Sequence, residues 1–414
     1  MLSKIDQESN SNESQKPGQL RHPQAVNPIK VIHLIENYLP VFQNWIYPQI
    51  VSVPKVDSHV FCWSANYREG FPIEDSKLVV AVPPWSAAFG FPRIISLLAR
   101  RLALLDDLTI LRARLCRPQI LHAHFGTEGW KALNLRRKLN IPLITSVYGC
   151  DAWSLPEDSP VWRQRYKELF QEGDLFLVEG PAMGKRLMDL SCPPEKVRVV
   201  HIGIDLAGLS FQAREFGEKL KIIMVGRFVE KKGLPDGLRA CAVARKSGVN
   251  LQITIVGDAG IDDPKGQKIK KELLSIAQQP ELLDCVRFAG YLSLAETRAV
   301  LGAHNILMCP SIHGSDGDAE GGSPVVLTEA MAMGLLCVGT RHCDIPEVIK
   351  DNETGYLCNS GDIATLASLL ARSAVEPEGS LALTHRGREH IENNFSTSKQ
   401  VSELADIYAR LANN

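Results

Sequence analysis

Short apolar runs alternate along this chain with stretches whose apolar positions recur at helical spacing. The apolar runs predict strands over Lys30–Ile35, His59–Cys62, Leu78–Val82, Gln119–His124, Pro142–Val147, Asp174–Val178 and Val197–His201. A second series covers Leu220–Val225, Leu251–Val256, Val286–Ala289, Ile306–Pro310, Leu335–Gly339 and Gly355–Leu357. Runs such as Ile306–Pro310 are apolar at every position, which suits strands buried on both faces of a parallel sheet. Two successive series of strand and helix imply two doubly wound α/β domains facing each other. The polar stretch Asp205–Lys219 is the expected linker, which divides residues 28–205 from 206–385. A helical tail with no strand after it fills the last residues, 386–414.

Composition narrows the classes. A formal net charge of −1 excludes a general nucleic-acid binder, which would carry a basic excess or stripe. The 10 cysteines are scattered with no CxxC pair, so they read as small apolar residues of a reducing compartment. Residues 1–27 are polar, lack the apolar core of a signal peptide and are expected to be disordered. No run is long and apolar enough to span a bilayer, so the expected location is cytoplasmic. Between Arg93 and Arg117 many leucines sit among arginines, a pattern shared by outer helices of such domains and by helices lying on a membrane surface.

Candidate chemistry concentrates between Ile306 and Ile349, which reads as strand, acidic glycine-rich loop, helix, strand. Ser323 is the expected helix cap, Pro324 the first helical residue with Val325 after it, and Gly334 the left-handed stop. Free amides around Gly321, Gly322 and Ser323 would then face out of the sheet's carboxyl end, where the helix dipole favours a phosphate. Glu320 and Glu329 flank that spot. Upstream, IIMVGRFVEKKG runs a strand into Gly226 and then into cations, of which Arg227 and Lys232 are expected to face the crevice and Lys231 is not. Each feature also has a plainer reading as a turn glycine or a solvated charge.

EGGSPVVLTEAMAMG, followed by IPEVI and TGYL, resembles the donor-site signature of family 4 glycosyltransferases, in the EGGSP form of exopolysaccharide and colanic-acid-type members. The resemblance implies a GT-B fold and a retaining sugar transferase. It departs from the usual pattern in one respect: eight residues rather than seven separate Glu320 from Glu329. A bulged loop would restore the reach of Glu320 toward the donor sugar, while Glu329 matches the glutamate that holds the donor ribose. By the same resemblance Arg227 and Lys232 contact the diphosphate. LQITIVGDAG places Gly257 and Asp258 near diphosphate or ribose, and FAGYLS offers backbone at Tyr291 and Leu292 to the base.

In the first half, ILHAHFG resembles a family segment with His124 at a strand end; His122 and His124 alternate on one strand face, and His124 is the candidate catalytic residue at the crevice. ITSVYGCDAW resembles the family's HGxD segment with Tyr148 in place of histidine. Asp151 either caps a loop or touches sugar. LPVFQNWIYPQI looks like a diverged acceptor-side loop in which Gln43, Asn44 and Trp45 would line the cleft. The resemblance also implies that the last helix crosses back onto the first domain.

The expected activity is transfer of a sugar from a UDP- or GDP-sugar to a lipid-linked or saccharide hydroxyl in exopolysaccharide or envelope glycan assembly. Peripheral membrane contact accompanies that reading. No cofactor or metal is expected, and the Asp316 to Asp318 pair reads as a solvated turn rather than a cation site. A nucleotide-sugar epimerase on the same fold and a non-catalytic sugar-nucleotide-binding subunit stay open as alternatives.

Overall fold

A computed structural model describes residues 27–65, 68–80 and 104–413. Two sheets are formed, and every strand pairing in them is parallel. The first holds β1 (Ile29–Asn37), β2 (Val56–Ser64), β3 (Leu78–Val80), β4 (Ile120–His124), β5 (Leu143–Val147), β6 (Leu175–Val178) and β7 (Val197–Val199). Its spatial order is β3-β2-β1-β4-β5-β6-β7. The second holds β8 (Leu220–Val225), β9 (Leu251–Val256), β10 (Val286–Gly290), β11 (Ile306–Cys309), β12 (Leu336–Thr340) and β13 (Tyr356–Cys358), in the order β10-β9-β8-β11-β12-β13. Both orders reverse once, between β1 and β4 and between β8 and β11, and such reversals open a crevice at the strands' carboxyl ends.

Small boundary differences have local causes. β11 ends at Cys309 because Pro310 carries no N–H to continue a ladder. β12 starts at Leu336 rather than Leu335, since the Leu335 amide turns back to the carbonyl of Ala330 at 3.0 Å. That bond and the left-handed Gly334 (φ 86°) make a Schellman stop to the preceding helix. Residues 81 and 82 of the third predicted strand, with Arg93, Arg100 and Arg101 of the arginine-rich stretch, lie outside the described residues. Among the described residues no helix is long and apolar enough to cross a membrane.

Each sheet is packed on both faces. One face of the first sheet buries Ile32, Leu121, Leu143 and Val178 beneath the flanking helices. Its other face, with Val31, Ile120, Ile144 and Leu177, is covered by Val401, Leu404, Ile407 and Tyr408 of the C-terminal helix Thr397–Ala412. Two backbone bonds dock that helix's start, from Ile204 to Phe395 (2.8 Å) and from Thr397 to Ile204 (3.0 Å). All ten cysteines are free, and all but Cys116, Cys150 and Cys343 are buried.

Candidate active site

A cleft of about 740 Å³ opens between the carboxyl ends of the two sheets. On the second domain, β8 delivers Gly226 and Arg227 to its wall. A side chain at Gly257 (φ 123°) would strike the Gly226 carbonyl, so this pair of strand ends must be glycine and open backbone. Arg227 is exposed and has no ion-pair partner among the described residues. Lys232 follows one short 3₁₀ turn later, its stem against Gly226 and its ammonium 2.8 Å from Glu320 Oε2.

Glu320 is held from several sides. Ser311 donates to Oε1 at 2.7 Å, and the Glu320 amide donates to His342 Nε2 at 3.3 Å. Burial alone would raise its pKa, but the charge and hydrogen bond of Lys232 and the Ser311 hydroxyl outweigh burial and hold the carboxyl below its ordinary range. Just after Glu320, Gly321 takes a left-handed φ of 82° that bulges the loop, and Glu320 borders the cleft. Glu329 also borders the cleft, on the helix Val325–Ala332, and its Oε1 accepts from Arg298 at 2.6 Å.

Several expectations need correction. Ser323 is not the helix cap: Pro324 occupies that position (φ −57°, ψ 127°), the first helical residue is Val325, and the Ser323 hydroxyl is buried without a partner among the described residues. Ser323, Pro324 and Val325 nonetheless line the cleft, as do Tyr291 and Leu292. Asp258 turns away from the cleft, pairing with Lys270 at 2.7 Å, while its carbonyl accepts from the Tyr291 hydroxyl at 2.9 Å. Gly321 and Gly322 pack against the first domain, at Gly149 and Glu179, rather than against open cleft. Lys231, which sequence reasoning set aside, does reach the cleft wall; it ties the acidic loop down by donating to the Ala319 carbonyl and pairing with Asp318, both at 2.9 Å.

On the first domain Asn44, Trp45 and Tyr148 line the cleft, and Gln43 does not. His124 is fully buried behind Tyr148 instead of facing the crevice, because β4 is an inner strand and its residues are covered on both faces. Its Nδ1 lies 2.8 Å from the Tyr148 hydroxyl and its Nε2 3.0 Å from His33 Nδ1. His122 stacks on His124 at 4.4 Å and bonds Tyr408 (2.6 Å) and Ser146 (2.7 Å). Burial pushes all three imidazoles down, His122 to about 3, so they are neutral at pH 7. These three are the one group, among the described residues, whose ligand atoms lie within 4.8 Å of each other, close enough for a metal ion, yet most of those nitrogens already hold hydrogen bonds. Asp316 and Asp318 are instead paired with Lys265 (2.7 Å) and Lys231.

Asp151 is a loop lock. Its carboxylate accepts from the amides of Gly126 (2.9 Å), Tyr148 (3.1 Å) and Gly149 (2.9 Å); burial still raises its pKa, and these bonds only lessen the rise. Two features escaped sequence reasoning altogether. Glu179, just past β6, lines the cleft opposite the bulged loop. Asp344, from the second domain, accepts from the amides of Ala182 (2.7 Å) and Met183 (3.2 Å) at the start of the first domain's helix Pro181–Asp189. No local pattern marks either one, since both acquire their setting from the opposite domain.

Two doubly wound domains with a cationic strand end and a paired acid across one cleft define the GT-B architecture of sugar transferases. Residues 55–207 match the description Glycosyltransferase Family 4, and residues 209–390 match Glycosyl transferases group 1. WcaL of Escherichia coli (strain K12), named for colanic acid biosynthesis, is 32% identical over 299 residues, 71% of each chain. The amylovoran biosynthesis glycosyltransferase AmsK of Erwinia amylovora is 31% identical over 296 residues, 71% of this chain and 70% of its own. The Anabaena protein Alr3699/HepE in complex with UDP shares the fold, with a TM-score of 0.72 and 14% identity over 93% of this chain and all of its own. The chain therefore belongs to the family 4 glycosyltransferases.

Proposed function

We propose that this enzyme moves a sugar from a UDP- or GDP-sugar to the hydroxyl of a lipid-linked or saccharide acceptor in exopolysaccharide or envelope glycan assembly, with retention of anomeric configuration. The observation that carries the reading is the placing of Arg227, Lys232, Glu320 and Glu329 on one cleft at the start of a helix. Cations there stabilise the charge that a nucleoside diphosphate gains as its glycosidic bond breaks, and preplaced groups do so without reorganising. In the proposed step the acceptor hydroxyl approaches the face that the phosphate leaves. The new C–O bond forms as the old one breaks, and the departing phosphate oxygen takes the hydroxyl proton. No side chain need become a nucleophile, and no metal is required.

The donor class is supported by solved neighbours that hold UDP and UDP-glucose, and the pathway by the names of WcaL and AmsK. A membrane-borne acceptor is supported by the helix Leu104–Cys116, whose exposed Leu111 and Leu115 sit beside Arg112 and Arg114. The test is the anomeric outcome. NMR of the product formed from a sugar nucleotide should show the donor's configuration; inversion, or an epimerised nucleotide sugar released without acceptor, overturns the reading.

A further inference from the structure

Glu179 stands apart from every other acid around the cleft. Asp151 has three backbone amides, Asp344 two, Glu320 has Lys232 and Ser311, and Glu329 has Arg298. Glu179 has no hydrogen-bond or ion-pair partner among the described residues, although it is half-buried. The local chain gives it this position. β6 ends at Val178, and Gly180 is extended (φ −169°) before the helix begins, so Glu179 is pushed out of the sheet's carboxyl end into the cleft. Across from it lies Gly322, where any side chain would collide with the Glu179 carboxyl. The bulged loop therefore presents bare backbone to this one group.

An unpaired carboxyl at a half-buried site costs stability unless a ligand supplies its partners. The ligand's chemistry follows from the neighbours. Lys231 and Lys232, the nearby cations of the cleft, are committed to Asp318 and Glu320. Burial, then the charges of Asp344, Asp151 and Glu320, push the carboxyl's pKa well up, which favours its neutral form, an O–H donor beside a carbonyl acceptor. Such a group suits neutral hydroxyls and disfavours a second anion. The diphosphate side of the cleft is marked by Arg227 on the second domain, and Trp45 and Tyr148 lie on the Glu179 side.

We propose that Glu179 is the first domain's contact to the transferred sugar, its carboxyl hydrogen-bonding ring hydroxyls between the Tyr148 side of the cleft and the Gly322 loop. This rests on the transferase reading given above. It makes Glu179 a residue that reads which sugar is transferred, not one that holds the nucleotide.

The test compares wild type with Glu179→Ala and the near-isosteric Glu179→Gln. Calorimetry gives affinity for UDP and GDP, and NMR follows turnover of UDP-glucose, UDP-galactose, UDP-N-acetylglucosamine, GDP-mannose and GDP-fucose. The expected result is nucleotide affinity within two-fold of wild type in both variants. On the sugar nucleotide that wild type consumes fastest, turnover should fall ten-fold or more in Glu179→Ala and less in Glu179→Gln, which keeps a donor and an acceptor. Unchanged affinity also certifies that the variants fold. Glu179→Ala turnover within two-fold of wild type, or Glu179→Gln as slow as Glu179→Ala, overturns the role given to this carboxyl while leaving the transferase reading standing. A wild-type protein that binds neither nucleotide and consumes none of the five sugars overturns both.

Discussion

Arg227 and Glu329 invite opposite experiments, because one is free in the cleft and the other already has a partner. Glu329 is paired with Arg298, and in the proposed complex it also accepts from the donor ribose. Hydrogen bonds to charged groups contribute about 1.5–3 kcal/mol. Glu329→Ala should therefore weaken nucleotide binding about ten-fold or more, as read by calorimetric titration; unchanged affinity would remove it from the ribose. Arg227 and Lys232 are expected to act on the leaving group, so their double alanine variant should lose turnover by about a hundred-fold or more while binding the uncharged nucleoside normally. Normal turnover by that variant would sink the assignment. At this scale the sequence was readable wherever a residue's setting is local. Arg227, Lys232, Glu320 and Glu329 border the cleft because strand, turn and helix signals adjoin them. Glu179 was not readable, because a lone glutamate after a strand looks like any solvated strand end. His124 was misjudged for a related reason: its partner His33 lies 91 residues away, and only the pairing of β1 with β4 closes the cluster.

Between elements, the two domains meet through loops that need bare backbone. A side chain at Gly321 would strike Gly149, and one at Gly180 would strike the Asp344 carboxyl. Gly321→Ala, strained as well by its positive φ, should lower turnover several-fold or more while leaving nucleotide affinity in the second domain near normal. Equal losses in both would show that the loop serves the nucleotide directly. Asp344, which ties the helix Pro181–Asp189 to the second domain, is pushed up to about 6 by burial, against the bonds from Ala182 and Met183 and with the charge of Glu347. A raised folded pKa means that this carboxyl's contribution is fully present below about pH 4, near the ordinary aspartate value, and is lost as pH rises through about 6. The melting temperature of Asp344→Asn minus that of wild type should thus grow between pH 4 and pH 7 and then level off; a flat difference would remove the pH role. Although the second strand begins at Val56, three residues before the expected His59, the sequence marked most strand ends of the second sheet within a residue. It misplaced the helix cap, since Ser323 and Pro324 both suit a helix start and only the observed backbone chooses between them.

For the molecule as a whole, βα alternation sufficed to reveal two doubly wound sheets, since parallel strands buried on both faces leave continuous apolar runs. The way the sheets face each other was less legible, because it depends on contacts such as Asp344 with Ala182, 162 residues apart. The proposal that transfer needs no metal is tested at this scale. Exhaustive dialysis against EDTA should leave transfer rates largely intact, because the cleft already carries Arg227, Lys232 and a helix start for the diphosphate. Loss of activity restored by Mg²⁺ or Mn²⁺ would instead bring forward Asp316 and Asp318.

The C-terminal helix has one more consequence, for the order in which the chain can fold. The face of the first sheet formed by Val31, Ile120, Ile144 and Leu177 packs against Val401, Leu404, Ile407 and Tyr408 of this helix, with Val53 as a smaller cover from the first domain itself. On a ribosome the first domain must therefore wait, with an apolar sheet face lacking its main cover, while the entire second domain is made. A fragment ending at residue 396 should aggregate or bind chaperones during synthesis. A separate peptide of residues 397–413 should rescue its solubility.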